Sequence, residues 1–257
     1  MSDHSFLPAW REQSLGRRLF LRVSAASAAS VALVTAGCAK DPVTPTVPDP
    51  YKLPLPIGDQ GILFYAYLLA IAKATTYQKV VDAPAADLTA AERAIFADLR
   101  DHSVVHRQLL KYLLDPTGAN VLYPAGFAFN LTAFTLTTRA GVLAAALQLE
   151  DLTAATYPTI LPRFASADKR NLLLKMSSVH ARHAATLRDL LAAPGSFANS
   201  TVVDAQGQLI TKTPTEVIAV LAPFIAPYVI SITCPDVPEV VQAGGEIVPA
   251  RGLCNAI

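Results

Sequence analysis

Histidine spacing is the strongest chemical signal in this chain. Five histidines occur, and four of them form two pairs: His102 with His106, four residues apart, and His180 with His183, three residues apart. Both spacings place a pair on one face of an α-helix, where its two rings can reach a common ligand. Imidazole suits zinc, copper and iron. The two pairs are therefore candidates for a metal site.

The helical stripes that carry these pairs are otherwise apolar. The stripe of the first pair continues through Ile95, Leu99, Leu109 and Leu113, and that of the second through Leu173, Met176, Leu187 and Leu190. Two further stripes carry one charge each, Lys73 and Glu150. Burying a polar group without a partner costs roughly 2–7 kcal/mol. We therefore expect these six polar side chains to face one another around a shared centre in the core.

Periodicity and capping signals predict four long helices and a short fifth. The long helices are predicted over 60–81, 89–114, 137–157 and 166–193, with Pro158 and Pro162 closing the third. Capping boxes at Thr89-Ala90-Ala91-Glu92 and Thr213-Pro214-Thr215-Glu216 open the second and fifth helices. Four long helices joined by short links and one longer connection predict an all-α four-helix bundle with a crossover.

Four segments of the predicted bundle resemble the ferritin-like superfamily, in particular the exported bacterial ferritin-like domain proteins related to plant desiccation proteins. They lie at 64–77, 101–106, 149–157 and 180–184, within residues 60–192. The resemblance implies a ferritin-like four-helix bundle, here with a short fifth helix and an irregular C-terminal tail. Family members with an intact site hold two irons, which handle oxygen or ferrous ion.

The resemblance also implies which parts of the di-iron site remain. Glu150 matches the glutamate of the third helix, and His106 and His183 match the histidines of two Glu-x-x-His motifs. Ser103 and His180 stand at the glutamate positions of those motifs, and the carboxylate region of the first helix falls on Ala70, Lys73 and Thr75. Because one carboxylate cannot bridge and neutralise two cations, a di-iron centre is not expected.

Two interpretations of the remaining residues stay open. In one, Lys73 supplies the positive charge that a metal once provided and pairs with Glu150, and no cofactor is bound. In the other, one Fe, Cu or Zn ion is held by His106, Glu150, His180 and His183, with His102 as a further candidate ligand. In a milder interpretation His102 orients His106. No catalytic residue is predicted.

The N-terminal residues predict export and membrane anchoring. Arg17 and Arg18, followed by Leu19-Phe20 and a short apolar stretch, resemble a twin-arginine signal. Thr35-Ala36-Gly37-Cys38 resembles a lipobox, so we predict a signal peptide over 1–38 and a lipid on Cys38. Cleavage without lipidation and an uncleaved anchor are the alternatives. The expected location is the cell envelope, as a periplasmic lipoprotein whose partner is the membrane.

The proline content, the cysteine positions and the net charge predict the other regions of the chain and restrict its partners. A proline-rich tether is predicted over 39–57, the bundle over 58–195, and the fifth helix with a C-terminal tail over 196–257. Cys234 and Cys254 are expected to close the tail as a disulfide, with two free thiols as the alternative. The formal net charge of only +1 argues against a nucleic-acid partner. Homo- or hetero-oligomers with other ferritin-like chains are compatible with the pattern.

Overall fold

The computed structural model describes residues 51–232, except 121, 125, 193 and 194, together with two short strands at 240–241 and 247–248. The described residues form five α-helices: α1 (Asp59–Asp82), α2 (Ala90–Leu114), α3 (Arg139–Ile160), α4 (Ala167–Leu191) and α5 (Pro214–Ile225). The predicted all-α fold class is confirmed. Over the part of the chain that is described, no helix has the length and apolar character needed to cross a membrane.

Capping boxes begin α2 and α5 where the sequence predicted them. The Thr89 side chain accepts from the Glu92 amide while the Glu92 carboxylate accepts from the Thr89 amide. Thr213 and Glu216 form the same reciprocal pair at the start of α5. Each capping box satisfies two backbone amides that a helix start leaves without intrahelical partners.

The four long helices differ in how much of their surface is covered. α1 packs against α2 and α3, and α3 also packs against α4 and α5, so α1 and α3 are buried on most sides. α2 and α4 each keep an exposed face. A polar side chain at the middle of α1 or α3 therefore has to find its partners inside the bundle.

The end of the third helix differs from the prediction. Pro158 does not close α3, which continues to Ile160 and then into a short 3-10 turn at Leu161–Arg163. A proline inside a helix removes one backbone hydrogen bond. Tyr157, Ile160 and Leu161 are all buried in the core, and their burial keeps the additional turn helical.

A parallel strand pair joins the segment before α1 to the segment after α5. β1 (Lys52–Leu55) pairs with β2 (Val229–Ile232), with Lys52 opposite Val229 and Leu55 opposite Ile232. Leu53 and Leu55 are buried against the bundle. The packed structure thus begins before residue 57, where the predicted tether ends, because alternate leucines of this proline-containing segment turn towards the core.

The C-terminal region contains more strand than the predicted irregular tail. Besides β2, two short strands, β3 (Val240–Val241) and β4 (Ile247–Val248), form an antiparallel pair. The β-branched residues of these segments favour extended structure. Cys38, Cys234 and Cys254, like Arg17 and Arg18, lie outside the described residues, so lipidation, the disulfide and the export signal stay predictions.

Candidate functional site

A cluster of charged and polar side chains lies at the centre of the bundle. Lys73 comes from α1, Glu150 from α3 and His180 from α4, and their exposed fractions are 1%, 0% and 1%. Each belongs to the stripe that its helix turns towards its neighbours. With His183, which also reaches Glu150, the structure brings together four of the six polar side chains that the helical stripes predicted to meet.

Lys73 lies in direct contact with both of these partners. Its Nζ is 3.4 Å from Glu150 Oε2, and 2.8 Å and 3.1 Å from Nδ1 and Nε2 of His180. An ammonium has three donors and no acceptor, so it can donate to the Glu150 carboxylate and, when Nδ1 of His180 carries its proton towards Glu150, to the unprotonated Nε2 of His180. The pair of charges that the first interpretation requires is thus present in the structure.

Glu150 receives hydrogen bonds from two further helices on both of its oxygens. Tyr77 OH on α1 donates to Oε1 at 2.8 Å. Nδ1 of His180 lies 2.8 Å from Oε2, and Nδ1 of His183 lies 3.3 Å from Oε1. A buried carboxylate requires partners of this kind to offset its loss of hydration.

The sequence did not assign Tyr77 to the site. It lies four residues after Lys73 on the same stripe, which is one helical turn and the same face. The four-residue spacing from Lys73 therefore indicates that Tyr77 faces the same part of the core as Lys73. Nothing in the sequence marks its hydroxyl as part of the site, because a tyrosine on an apolar stripe is ordinarily a core residue.

The charges of the cluster follow from burial and from the ion pair. Burial raises the pKa of Glu150, but Lys73 and then His180 lower it by more, so this pKa lies well below its ordinary value. Burial lowers the pKa of Lys73 to about 8, while Glu150 acts to raise it. Burial and then Lys73 lower the pKa of His180 to about 4. At neutral pH the centre therefore holds one cation, one anion and a neutral His180.

His106 lies beside the cluster without joining it. Its ring meets that of His180 edge-on, with centroids 4.9 Å apart, and its buried Nδ1 has no hydrogen-bond partner in the described part of the chain. Burial, followed by His180 and Lys73, lowers its pKa to about 3. Ser103 Oγ, one turn earlier on α2, is likewise buried and unpartnered among the described residues. His106 is therefore neutral and packs against the site.

His102 lies at the outer end of the cluster. It is exposed, and its Nδ1 is 3.1 Å from Nε2 of His183, whose side chain is 13% exposed. The hydrogen bond seen for His102 is to His183 rather than to His106, which it was expected to orient. The steps of four and three residues put the histidines on shared faces, but they did not determine which rings would meet across α2 and α4.

Three of the predicted ligands can reach a single metal ion. Glu150, His180 and His183 each offer one ligand atom, and these atoms lie within 4.8 Å of one another. An oxygen and two imidazole nitrogens form a reasonable donor set for zinc, copper or iron. Of the predicted ligands, His106 and His102 are not members of this group.

The residues do not fit two irons. Glu150 is the sole carboxylate of the cluster, and the Lys73 ammonium touches both it and His180. Two divalent cations at this position would meet a third positive charge with one carboxylate to neutralise them all. We derive no di-iron chemistry for this chain.

Comparison with models of protein families finds a match to the bundle. The family model described as ferritin-like domain matches residues 58–193, which contain α1 to α4 and the whole polar cluster. No curated protein and no solved structure matches the chain.

Proposed function

Because the chain belongs to the family of ferritin-like domains, we propose that it is an envelope-anchored member that works without redox catalysis. In this proposal the Lys73–Glu150 pair occupies the place of the metal centre and keeps the bundle assembled. The protein then serves a structural or stress-related role at the membrane. The core contributes a stable scaffold, and the interactions that matter occur on its surface.

The position of the Lys73 ammonium carries this proposal. Its Nζ lies 3.4 Å from Glu150 Oε2 and 2.8 Å from His180 Nδ1, which are atoms that a metal ion would need. The carboxylate of the cluster is thus already neutralised by a cation that belongs to the chain. Adding a metal beside a charged lysine would place two positive charges together in a low-dielectric interior.

The envelope location is supported by sequence features alone. Arg17 and Arg18 precede a short apolar segment, and Cys38 ends a sequence that resembles a lipobox. A lipid tether on every subunit would be incompatible with a closed iron-storing shell. We therefore propose single bundles or small homo- or hetero-oligomers with other ferritin-like chains, held at the membrane surface.

Metal analysis of the protein exported through its own signal tests the proposal. We expect far less than one equivalent of iron, copper or zinc per chain after purification without chelators. His180→Ala, which removes a core ligand and leaves His183 in place, is the matched control, and its metal content should equal that of the wild type. One equivalent of metal in the wild type that disappears in His180→Ala would contradict the proposal.

A second function is favoured by the spacing of the ligand atoms. Glu150, His180 and His183 can hold one Fe, Cu or Zn ion, and His106 packs against His180. Such an ion would require Lys73 to lose its proton or move, and burial already lowers the pKa of Lys73 to about 8. When bound, the ion would supply Lewis-acid or redox chemistry, while Glu150 and the histidines would hold and orient it.

Lys73→Met separates the two functions. If the cluster is a vacated cation site, removal of the ammonium frees Glu150 and His180, and metal uptake should rise from near zero to about one equivalent. If the wild type already binds one ion, the variant should bind it more tightly without a change in stoichiometry. Inductively coupled plasma mass spectrometry on matched preparations of wild type and variant distinguishes the two, because the metal content rises in the first case and stays at one equivalent in the second.

A further inference from the structure

His102 and His183 form a pair of imidazoles that bridges α2 and α4 at the surface of the bundle. Nδ1 of His102 and Nε2 of His183 are 3.1 Å apart. The ring planes are within 8° of parallel, with centroids 5.2 Å apart. Together these values describe two rings lying edge to edge and sharing one N–H···N hydrogen bond.

The inner nitrogen of His183 is held by the buried ion pair. Its Nδ1 lies 3.3 Å from Glu150 Oε1, and the same carboxylate is held by Tyr77 at 2.8 Å and Lys73 at 3.4 Å. A carboxylate beside Nδ1 favours the tautomer that carries its proton there. Nε2 of His183 then carries the lone pair of the ring, and this lone pair accepts the hydrogen bond from Nδ1 of His102 on the outer side.

We propose that His102 Nδ1 and His183 Nε2 chelate one divalent transition-metal ion at the surface between α2 and α4. Imidazole nitrogens bind zinc at about 2.0–2.1 Å, so two of them in adjacent coordination positions are separated by about 2.9–3.4 Å. The observed separation of 3.1 Å lies inside that interval. Two imidazoles without a carboxylate ligand favour copper, nickel or zinc over magnesium, calcium or manganese.

Because His102 is exposed, its ring can move from the hydrogen-bonded arrangement to one in which both histidines bind the ion. Its ring can turn about the Cβ–Cγ bond so that both lone pairs point to one ion, while its own proton moves to Nε2. His183 keeps its position because Glu150 holds its Nδ1. Glu150 thus acts as a positioning residue for the surface ion, in the arrangement of carboxylate, histidine and metal that is common in proteins.

The surface site shares His183 with the core alternative but differs in its other ligands. It uses Nε2 of His183 and the exposed His102, whereas the core alternative uses Glu150, His180 and His183 and requires Lys73 to give way. A surface ion leaves the Lys73–Glu150 pair intact, so the inference is compatible with a metal-free core. Two protein ligands leave the remaining coordination positions to water, which suits reversible capture from the envelope fluid.

Binding of copper and zinc to the full-length, chelator-treated protein tests the inference. We expect one ion per chain by isothermal titration calorimetry, and a copper electron paramagnetic resonance signal with hyperfine coupling to two imidazole nitrogens. His102→Ala should weaken binding by more than about tenfold. Gln108→Ala, at another exposed position of α2, is the matched control and should bind as the wild type does.

His180→Ala distinguishes the surface site from the core site. The inference predicts that this variant, provided it melts cooperatively, keeps the ion and its two-nitrogen signal. Loss of binding in His180→Ala together with full binding in His102→Ala would overturn the inference and favour the core metal. Absence of any binding by the wild type would overturn it while leaving the metal-free proposal in place.

Discussion

Glu150 is the residue on which the interior of this bundle depends. Its two oxygens meet one ammonium, one phenol and two imidazoles from α1 and α4. Lys73 is the one of these partners whose charge offsets that of the carboxylate. Stability should therefore be more sensitive to the loss of Lys73 than to the loss of any single hydrogen-bond donor.

Lys73→Met should destabilise the metal-free protein strongly. The change leaves Glu150 buried with no counter-charge, and breaking a buried pair from one side typically costs about 3–5 kcal/mol in the free energy of unfolding. Urea denaturation at neutral pH in the presence of a chelator measures it. Replacing both partners, Lys73→Met with Glu150→Leu, should recover most of the loss because no charge remains unpaired.

Lys79→Met provides the control on the same helix. Lys79 is exposed, and surface substitutions of this kind usually change the free energy of unfolding by less than about 0.5 kcal/mol. If Lys73→Met were no more destabilising than Lys79→Met, the ion pair would not be a stabilising feature of the core, and the proposed function would lose its main support.

Acid should destabilise the fold through the buried histidines. The pKa of His180 is about 4 in the folded chain against an ordinary value of 6.5, so between these values only the unfolded chain binds the proton. Linkage then lowers the free energy of unfolding as the pH falls from about 6.5 to about 4, by on the order of 3 kcal/mol. His106, whose pKa is also lowered, acts in the same direction.

Urea midpoints between about pH 7.5 and about pH 4 measure this dependence. Glu150 should add a further loss below about pH 4.5, because its folded pKa is below its unfolded value and the unfolded chain binds its proton first. His180→Gln keeps hydrogen-bonding capacity without a titrating ring, so its stability should fall less steeply. A profile of equal slope in wild type and variant would contradict this account.

At the scale of elements, α2 depends on a cap that also ties it to α3. Glu92 accepts from the Thr89 amide in the capping box, and its other oxygen pairs with Arg139 at the start of α3. Arg139 in turn donates to the carbonyl of Leu190 near the end of α4. The pair of Glu92 and Arg139 thus joins three helix ends at this end of the bundle.

Thr89→Ala should lower the free energy of unfolding by about 1 kcal/mol, the usual cost of losing a side-chain cap. The loss should lower the free energy of unfolding of the whole domain, because α2 is one of the four long helices and packs along α1. Thermal or urea denaturation gives the value. Thr138→Ala, which removes the simpler cap of α3, should cost no more, and a larger effect there would argue against a special role for the α2 capping box.

At the scale of the whole molecule, the predicted lipid determines where the bundle works. Cys38→Ala removes the thiol to which the lipid would be attached, so the variant should move from the membrane fraction to the fraction released by osmotic shock. Fractionation followed by immunoblotting measures the shift. Cys234→Ala should leave the distribution unchanged. Retention of Cys38→Ala in the membrane fraction would contradict lipid anchoring at this residue.

By itself, the sequence determined the helices, their starts and the faces that they bury. These properties depend on interactions within a few residues: the capping boxes at Thr89 and Thr213 join positions three apart, and the histidine stripes repeat at helical spacing. The family-level fold followed from the same local patterns. Lys73 and Glu150 could be expected to meet because each was a lone charge on an apolar stripe.

Only the tertiary structure decided which atoms meet across the helices. Tyr77 reaches Glu150, His106 remains outside the group of ligand atoms, and His102 joins His183. Pro158 stays inside α3, and β1 pairs with β2, which follows it in the sequence only after all five helices. These outcomes depend on how each helix is rotated about its axis and how far it lies from its neighbours. Both are set by the packing of side chains that are distant in sequence, so they leave no periodic signal along the chain.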